Sequence, residues 1–315
     1  MSSFNKVGGR YGMHSGSGKF KNMQVDQNMF IQGNPVGPMG PGNTWYVDKN
    51  VNASGSGKTW ELAFKTLTEA VAAAKAYDTI IMGRGYYTEA ATITISSAQR
   101  GLRIFGPTTG GVPTSNGLSS ATSTDDILII NADDVEISGI TFWCLTNGKN
   151  GIDIGADYDG YNNWIHDCCF LTGNADNDLG EYGIKVNNTD DCVGTLIENN
   201  YFYFMSTAAI VAGSTRLTIR NNTIWSNSIG LDLTAFTAGA HSGTLVSDNY
   251  LIGRAGSTIG IELASTEQID GHIFIANNVV TNFGTNITTG KSINSIVNSQ
   301  TAADAATYKQ VDTSP

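Results

Sequence analysis

The chain has 315 residues, of which 37 are glycine, 15% are charged and 40% are hydrophobic. This composition supports a folded core and disfavours both a disordered chain and a helical bundle, because glycine supplies the backbone conformations that frequent turns need. The net charge of −10 argues against nucleic acid as a partner, since proteins that bind nucleic acid present a basic surface.

No apolar run reaches the roughly 18 residues of a membrane-spanning helix, and the N-terminus contains no apolar stretch typical of a secretion signal. We therefore expect no membrane insertion. We also expect that the chain is synthesised in a reducing cytoplasm. The four cysteines have no CxxC spacing, so buried apolar side chains are favoured over zinc ligands or disulfides: Cys144, Cys168, Cys169 and Cys192.

The first 44 residues form a basic arm with a net charge of +3, which leaves −13 on the remainder of the chain. The arm ends in "GNPVGPMGPGN", where Pro35, Pro38 and Pro41 predict an extended linker. The preceding stretch "FKNMQVDQNMFIQGN" alternates enough to predict one short strand pair. We interpret residues 1–44 as an attachment arm and linker.

A glycine-rich stretch, "GSGKT" at 55–59, is followed by a predicted helix, which is the local pattern of a phosphate-binding loop. That motif requires glycine five residues before its Gly-Lys pair, and this position is Asn52, so we expect no nucleotide. The helix is predicted at about 66–76. It begins with the spacing of a capping box, Thr66 with Glu69, and its apolar residues fall on one face.

From the helix to about residue 290 the sequence repeats itself. Six segments carry a polar pair between apolar residues: "ISGITF" at 137, "IHDCCF" at 165, "IENNYF" at 197, "IRNNTI" at 219, "VSDNYL" at 246 and "IANNVV" at 275. A second strand family, including "GIKV" at 183 and "GLDL" at 230, lies between them. The shortest spacing, 22 residues, matches one coil of a parallel β-helix, and longer spacings predict loops such as 155–163 and 173–181.

The fourth position of the six segments is asparagine in four of them: Asn200, Asn222, Asn249 and Asn278. Side chains at one place in successive coils stack, so we predict a structural ladder in which each amide bonds the backbone of neighbouring coils. We also expect these asparagines to take the left-handed conformation of the turn. Ile140 and Cys168 occupy the same position at the N-terminal end and predict an apolar continuation.

The stretch 46–89 resembles the beginning of right-handed parallel β-helix proteins of the pectate-lyase-like superfamily. Trp60, "FKT" at 64–66 and "GYYTE" at 85–89 carry the match, and the Asn-Asn segments extend it to about 290. The resemblance implies an all-β, single-stranded right-handed parallel β-helix whose open N-terminal end is capped by the α-helix. The arm, with "GGRYGMHSGSGKFKNMQVD", resembles virion-attachment segments of tailed-phage appendage proteins, which are usually trimers.

Carboxylates concentrate between residues 151 and 191, where the candidates for acid–base catalysis are Asp153, Asp157, Asp176, Asp178 and Glu181. Glycoside hydrolysis needs two carboxyl groups. "NTDD" at 188–191 is similar to elements of polygalacturonase-type hydrolases, whose Gly-His-Gly and Arg-x-Lys partners are absent from this chain. Solvated turn acids are favoured, while a calcium site and glycan hydrolysis stay as alternatives. No other cofactor or metal is expected.

Aromatic residues are dense across the middle coils and offer faces on which sugar rings stack. The candidates for glycan binding are Trp143, Tyr158, Tyr161, Trp164 and Tyr182, and the same dense region includes Tyr201, Tyr203 and Trp225. The alternative is that these side chains make core or subunit contacts.

We therefore expect an arm at 1–44, a β-helix at 45–290 and a C-terminal cap or tail at 291–315 that covers the last coil. The expected function is a structural and adhesive virion protein of a tailed phage: a trimeric fibre, spike or capsid decoration. It would be assembled in the host cytoplasm, attach to other virion proteins through residues 1–44 and meet host surface polysaccharide. The alternative is a polysaccharide depolymerase, a hydrolase or lyase, on the same β-helix. A free lyase is disfavoured by the missing signal and basic catalytic residue.

Overall fold

The computed structural model describes residues 42–108, 117–120, 126–145, 148–156, 160–172, 180–187, 192–214, 216–226, 228–234, 243–254, 256–263 and 273–288, and only the backbone of the remaining strands at 30–31, 34–35, 293–297, 300–302 and 308–310. The chain separates into two units, Met1–Met39 and Gly40–Pro315. The described backbone of the first unit is an antiparallel pair, Phe30–Ile31 with Asn34–Pro35, in the region where a short strand pair is predicted.

The second unit is a right-handed parallel β-helix with almost no helical structure. Each coil runs through three sheets in the same order, and every coil adds its strands beside those of the coil before. Sheet 1 has ten strands: Thr44–Val47, Thr79–Met82, Arg103–Phe105, Glu136–Ser138, Trp164–His166, Leu196–Glu198, Thr218–Arg220, Thr244–Ser247, Ile273–Ala276 and Ile293–Val297.

Sheet 2 also has ten strands: Tyr86–Glu89, Gly117–Ser120, Thr141–Trp143, Cys169–Leu171, Tyr201–Tyr203, Thr223–Ser226, Tyr250–Gly253, Val279–Thr281, Gln300–Ala302 and Tyr308–Gln310. Sheet 3 has eight strands: Ile93–Ile95, Leu128–Ile130, Ile152–Ile154, Tyr182–Val186, Ala208–Ala212, Ile229–Leu233, Ile259–Leu263 and Thr285–Ile287. The strands are three to five residues long, so each points one apolar side chain or two into the coil and the flanking ones outwards.

The core is a set of stacks, because parallel strands in register place equivalent side chains directly over one another. In sheet 1 the stack is isoleucine, for example Ile165 over Ile197. In sheet 2 it is phenylalanine: the rings of Phe142, Phe170 and Phe202 lie 4.9 and 4.8 Å apart and are parallel within 6°. All five side chains are fully buried, so the stacks remove apolar surface from water along the axis.

The four ladder asparagines form a continuous hydrogen-bonded stack between sheet 1 and sheet 2. Each side-chain amide donates to a carbonyl of the preceding coil, as Asn222 Nδ2 does to Ile197 O at 3.0 Å. Each side-chain oxygen accepts from the backbone of the preceding ladder residue, as Asn222 Oδ1 does from Asn200 N at 3.0 Å. At the N-terminal end the Cys168 backbone N–H donates to Asn200 Oδ1, so the stack begins against a cysteine.

The left-handed turn conformation belongs to the residue before the ladder position, so the expectation that the ladder asparagines adopt it is wrong. At the third position of all six segments φ is positive, between 52° and 67°: Gly139, Asp167, Asn199, Asn221, Asp248 and Asn277. The third position makes the turn and tolerates φ > 0 because it is Gly, Asn or Asp. The fourth position is thereby free to turn its side chain inwards, where it bonds the backbone.

The α-helix Leu67–Ala73 packs against the first strands of the three sheets. The capping box predicted from the sequence is present: Thr66 Oγ1 accepts from Glu69 N at 3.2 Å, and Glu69 Oε2 accepts from Thr66 N at 3.1 Å. The helix buries Leu67, Ala70 and Val71 on the core. A 3₁₀ turn, Ser97–Gln99, follows the first strand of sheet 3. No helix in the described ranges is long and apolar enough to cross a membrane.

The strands continue beyond residue 290, into the segment predicted as a tail. Ile293–Val297 extends sheet 1 and Gln300–Ala302 extends sheet 2, both parallel to their neighbours. Tyr308–Gln310 then pairs antiparallel to Gln300–Ala302. An antiparallel strand reverses the direction of the coil, so it occupies an edge that a further parallel strand would otherwise use.

All four cysteines are free and buried, in agreement with their interpretation as small apolar side chains. Cys168 and Cys192 donate weak hydrogen bonds to the carbonyls of Ile137 and Ile154. Burial raises the pKa of Cys168 to about 12, so its thiol stays protonated and unreactive at neutral pH.

Candidate functional site

The outer face of sheet 2 is lined by aromatic side chains in two rows. In the strand Tyr201–Tyr203 the middle residue points into the core, so Tyr201 and Tyr203 point outwards. The strand register places Trp225 beside Tyr203 in one row. It places Tyr250 in the row of Tyr201, two strands further along the sheet. We call this surface the aromatic strip; its members are Tyr86, Trp143, Tyr201, Tyr203, Trp225 and Tyr250.

Three pairs of rings in the aromatic strip lie about 6 Å apart. The Tyr201 and Tyr203 rings are 6.3 Å apart and inclined by 15°, and the Tyr203 and Trp225 rings are 6.1 Å apart. Nearer the helix, Tyr86 and Trp143 meet edge to face at 6.2 Å. Trp225 and Tyr250 are the most accessible members, 40% and 45% exposed. The strip is therefore a stepped aromatic surface along the β-helix axis.

The outer face of sheet 3 carries ionisable groups. Asp153 is 4% exposed and accepts from Lys185 Nζ at 3.0 Å and from the Asn187 side-chain amide. Burial raises the pKa of Asp153, and the Lys185 ammonium offsets part of that effect. A carboxylate held by two donors from the next coil has a structural role that its position explains fully.

Further along sheet 3, Asp232 and Glu262 lie side by side on neighbouring strands. Asp232 Oδ1 accepts from the Thr234 backbone N–H at 2.8 Å and from its hydroxyl at 2.6 Å. Burial, followed by the charge of Asp232, raises the pKa of Glu262. Two carboxyl groups whose environments differ in this way can act as proton donor and carboxylate in one reaction. Among the described residues, no metal-binding group of three or more His, Cys, Asp or Glu side chains is present.

The outer face of sheet 1 holds Trp164 in a satisfied polar network. Its indole Nε1 donates to Glu198 Oε1 at 3.0 Å, and Arg220 Nε donates to the other oxygen of that carboxylate at 2.6 Å. The Trp164 ring stacks on His166 with 3.9 Å between centroids. Burial alone would lower the pKa of His166, but its hydrogen bonds to Glu136 and Asp167 outweigh burial and raise the pKa.

The predicted site residues fall on three different faces. Asp153, Glu181 and Tyr182 lie at sheet 3, Trp143 at sheet 2, and Tyr161 and Trp164 at the start of a sheet 1 strand. The structure does not bring these six into one groove. The other candidates, Asp157, Tyr158, Asp176 and Asp178, lie outside the described residues.

The sequence does not single out Tyr86 and Tyr250 as candidates for glycan binding. Tyr201, Tyr203 and Trp225 are predicted only as members of the dense aromatic region. A usable signal was present, because each flanks the buried middle residue of its strand. Tyr182 lies close to acidic side chains instead. Burial, followed by the negative charges of Glu181 and Asp232, raises its pKa to about 12. Its hydroxyl therefore remains a hydrogen-bond donor at neutral pH.

The N-terminus of the α-helix has no room for a phosphate. Glu89 Oε1 accepts from Leu67 N at 2.8 Å, and the Glu69 carboxylate closes the capping box, so the chain's own carboxylates occupy the anion position. Lys58 of the glycine-rich stretch lies 3.3 Å above the Trp45 ring.

No family profile and no curated protein sequence matches the chain. Solved structures are similar in fold. A pectin methylesterase in complex with a hexasaccharide is 12% identical, with a TM-score of 0.47 over 75% of this chain and 80% of its own. The Dettilon tailspike protein is 15% identical, with a TM-score of 0.47 over 84% of this chain and 48% of its own. A rhamnogalacturonan lyase is 13% identical, with a TM-score of 0.47 over 83% and 87%. Such identities concern the fold alone.

Proposed function

We propose that this chain is a structural and adhesive virion protein of a tailed phage, a trimeric β-helical fibre, spike or capsid decoration that binds host surface glycan. The observation that carries the proposal is the aromatic strip. Six aromatic side chains from five of the seven strands between Tyr86–Glu89 and Tyr250–Gly253 line one outer face, and two of them are 40% and 45% exposed. An adhesive surface of this kind needs no cofactor.

The strip suits a glycan because sugar rings pack their C–H faces on aromatic rings, while tyrosine hydroxyls and the indole N–H bond sugar hydroxyls. Burial raises the pKa of Tyr201, so its hydroxyl stays protonated and donates. The coils repeat along the axis at about 4.8 Å, the separation of neighbouring strands. An extended oligosaccharide lying along the axis therefore meets rings in three successive coils, those that carry Tyr203, Trp225 and Tyr250.

The remaining parts of the proposal concern assembly. Residues 1–44, with their net charge of +3, attach the chain to other virion proteins, and the β-helix projects from the particle surface after assembly in the host cytoplasm. Three copies associate through the β-helix. The ladder and the ring stacks make the coils stiff, which is the property that a projecting fibre requires.

Glycan binding is tested by replacing the two exposed rings. Trp225→Ala with Tyr250→Ala should weaken binding to host surface polysaccharide about fivefold or more, since each stacked ring contributes about 0.5–1.5 kcal/mol. The matched control is Phe274→Ala on sheet 1, which removes a ring that is 46% exposed on another face. Equal binding by the double variant and the wild type in a calorimetric titration would refute the proposal.

A second function, cleavage of the bound glycan, is supported by the Asp232 and Glu262 pair. Glu262, with its raised pKa, would donate the proton to the leaving oxygen, and Asp232 would act as the carboxylate partner. Purified protein should then shorten host polysaccharide, and Asp232→Asn or Glu262→Gln should abolish shortening while leaving binding intact. Unchanged polysaccharide length with the wild-type protein removes this second function and leaves adhesion.

A further inference from the structure

A cavity of about 260 Å³ lies beside the first strand of sheet 2, next to the aromatic strip. Its lining is Lys49, Lys65, Thr66, Tyr86, Tyr87, Thr88 and Glu89. Tyr86 belongs to both the cavity and the strip, where its ring contacts Trp143. Pockets for drug-sized ligands measure roughly 300–1,000 Å³, so this smaller space suits a ligand of about one sugar residue.

The Lys49 ammonium is held in place at this cavity. Its stem runs over Gly85, where a Cβ atom would lie 2.6 Å from Lys49 Cδ, so only glycine leaves room for it. Its Nζ donates to the Tyr86 carbonyl oxygen, and its backbone N–H donates to Tyr87 Oη at 3.4 Å. The Tyr87 hydroxyl in turn donates to Gly83 O at 2.8 Å. An ammonium has three protons, so Lys49 keeps donors for a ligand.

The acid that lines the cavity is occupied elsewhere. Glu89 is 2% exposed, and its two oxygens accept from the Leu67 backbone N–H at 2.8 Å and the Thr68 hydroxyl at 2.6 Å. In the described part of the chain, neither Lys49 nor Lys65 forms an ion pair with a carboxylate. The cavity is therefore lined by two lysines and one carboxylate, a net charge of +1, beside the Tyr86 ring.

The net charge of the surrounding segment favours an anion, whereas the net charge of the following residues opposes one. Residues 42–108 carry seven Lys or Arg and five Asp or Glu, a net charge of +2. With +3 on the arm and −10 in total, residues 109–315 carry −15. An anionic ligand is repelled by most of the surface and attracted to the first coils.

We infer that this cavity binds an anionic sugar residue, with Lys49 and Lys65 on its carboxylate or phosphate and the Tyr86 ring against the sugar. The inference deepens the proposed function and rests on it, because the residue would be one unit of the glycan on the aromatic strip. Both anions share the chemistry that ammonium groups recognise, and lysine acts on either as a point charge.

The test uses three probes small enough for the cavity: methyl glucoside, methyl glucuronide and methyl glucoside 6-phosphate. Dissociation constants are measured by NMR titration of the full-length protein. We expect the anionic probes to bind about tenfold tighter than the neutral one and to weaken as salt is added. A preference for only one anion identifies which group the cavity takes.

Lys49→Met with Lys65→Met keeps the aliphatic stems and should abolish the preference for anions. Lys75→Met is the matched control, because it removes the same charge from an exposed lysine outside the cavity and should retain the preference. Equal binding of all three probes to the wild type, or a preference that survives the double substitution, overturns the inference. Neither result depends on Trp225 and Tyr250, so failure of the glycan-binding proposal is recognised separately.

Discussion

The asparagine ladder makes a quantitative prediction at Asn222. This residue is 1% exposed, and its side chain donates to Ile197 O and Asn249 Oδ1 and accepts from Asn200 N, each at 3.0 Å. Asn222→Ala leaves the Asn200 backbone N–H and the Ile197 carbonyl without those partners. A buried unpaired group costs about 1–3 kcal/mol, so we expect a loss of about 2–6 kcal/mol in the free energy of unfolding.

The loss is measured by urea unfolding followed by circular dichroism, with the midpoint converted through the slope of the transition. Asn221→Gly is the control, since Asn221 is exposed in the same turn at a φ of 54° that glycine also adopts. The control should stay close to the wild type. If Asn222→Ala lowers the free energy of unfolding by less than about 1 kcal/mol, the hydrogen bonds of the ladder do not stabilise the fold as their geometry implies.

Three further outcomes follow from the same structure. Asn221→Val should destabilise by about 1–2 kcal/mol in urea unfolding, whereas Asn221→Gly should not, because a β-branched residue resists positive φ. Because the pKa of His166 is raised on folding, its contribution is full below its ordinary value of about 6.5 and is lost as pH rises through the folded value. His166→Gln should therefore flatten the pH dependence of stability above about pH 6.5; an unchanged slope contradicts this. Deleting residues 1–44 should leave a folded β-helix by circular dichroism that no longer incorporates into particles, and normal incorporation would rule out the anchor role.

The sequence was informative wherever the coil repeats. Asparagine recurs at one position in four of the six segments, and a recurring polar residue between apolar ones finds its partners in the backbone and the side chains of adjacent coils, as Asn222 does. The capping box at Thr66 and Glu69 could be predicted because it depends only on residues three positions apart in the sequence. The left-handed position was misplaced by one residue, because Asn199 and Asn200 are the same residue type and only backbone angles distinguish them.

The outer faces could not be predicted in the same way. Trp143, Trp164 and Tyr182 are close in sequence, yet they lie on three sheets that face different directions. A coil of 22 to 32 residues passes through all three sheets, so nearness along the chain says little about nearness in space. Tyr86 and Trp143 are 57 positions apart in the sequence, yet their rings lie 6.2 Å apart, because only the strand Gly117–Ser120 lies between their strands in sheet 2.

The phenylalanine stack has a consequence for how such a chain changes length. Its ring separations of 4.9 and 4.8 Å equal the spacing of neighbouring strands, so core and backbone share one repeat. Removing or inserting one whole coil leaves every stack in register, whereas removing part of a coil exchanges inner for outer side chains. Variation in length should therefore come in steps of a coil, and one short step, from Ile197 to Ile219, is 22 residues. The length of the β-helix is thus set by a whole number of coils.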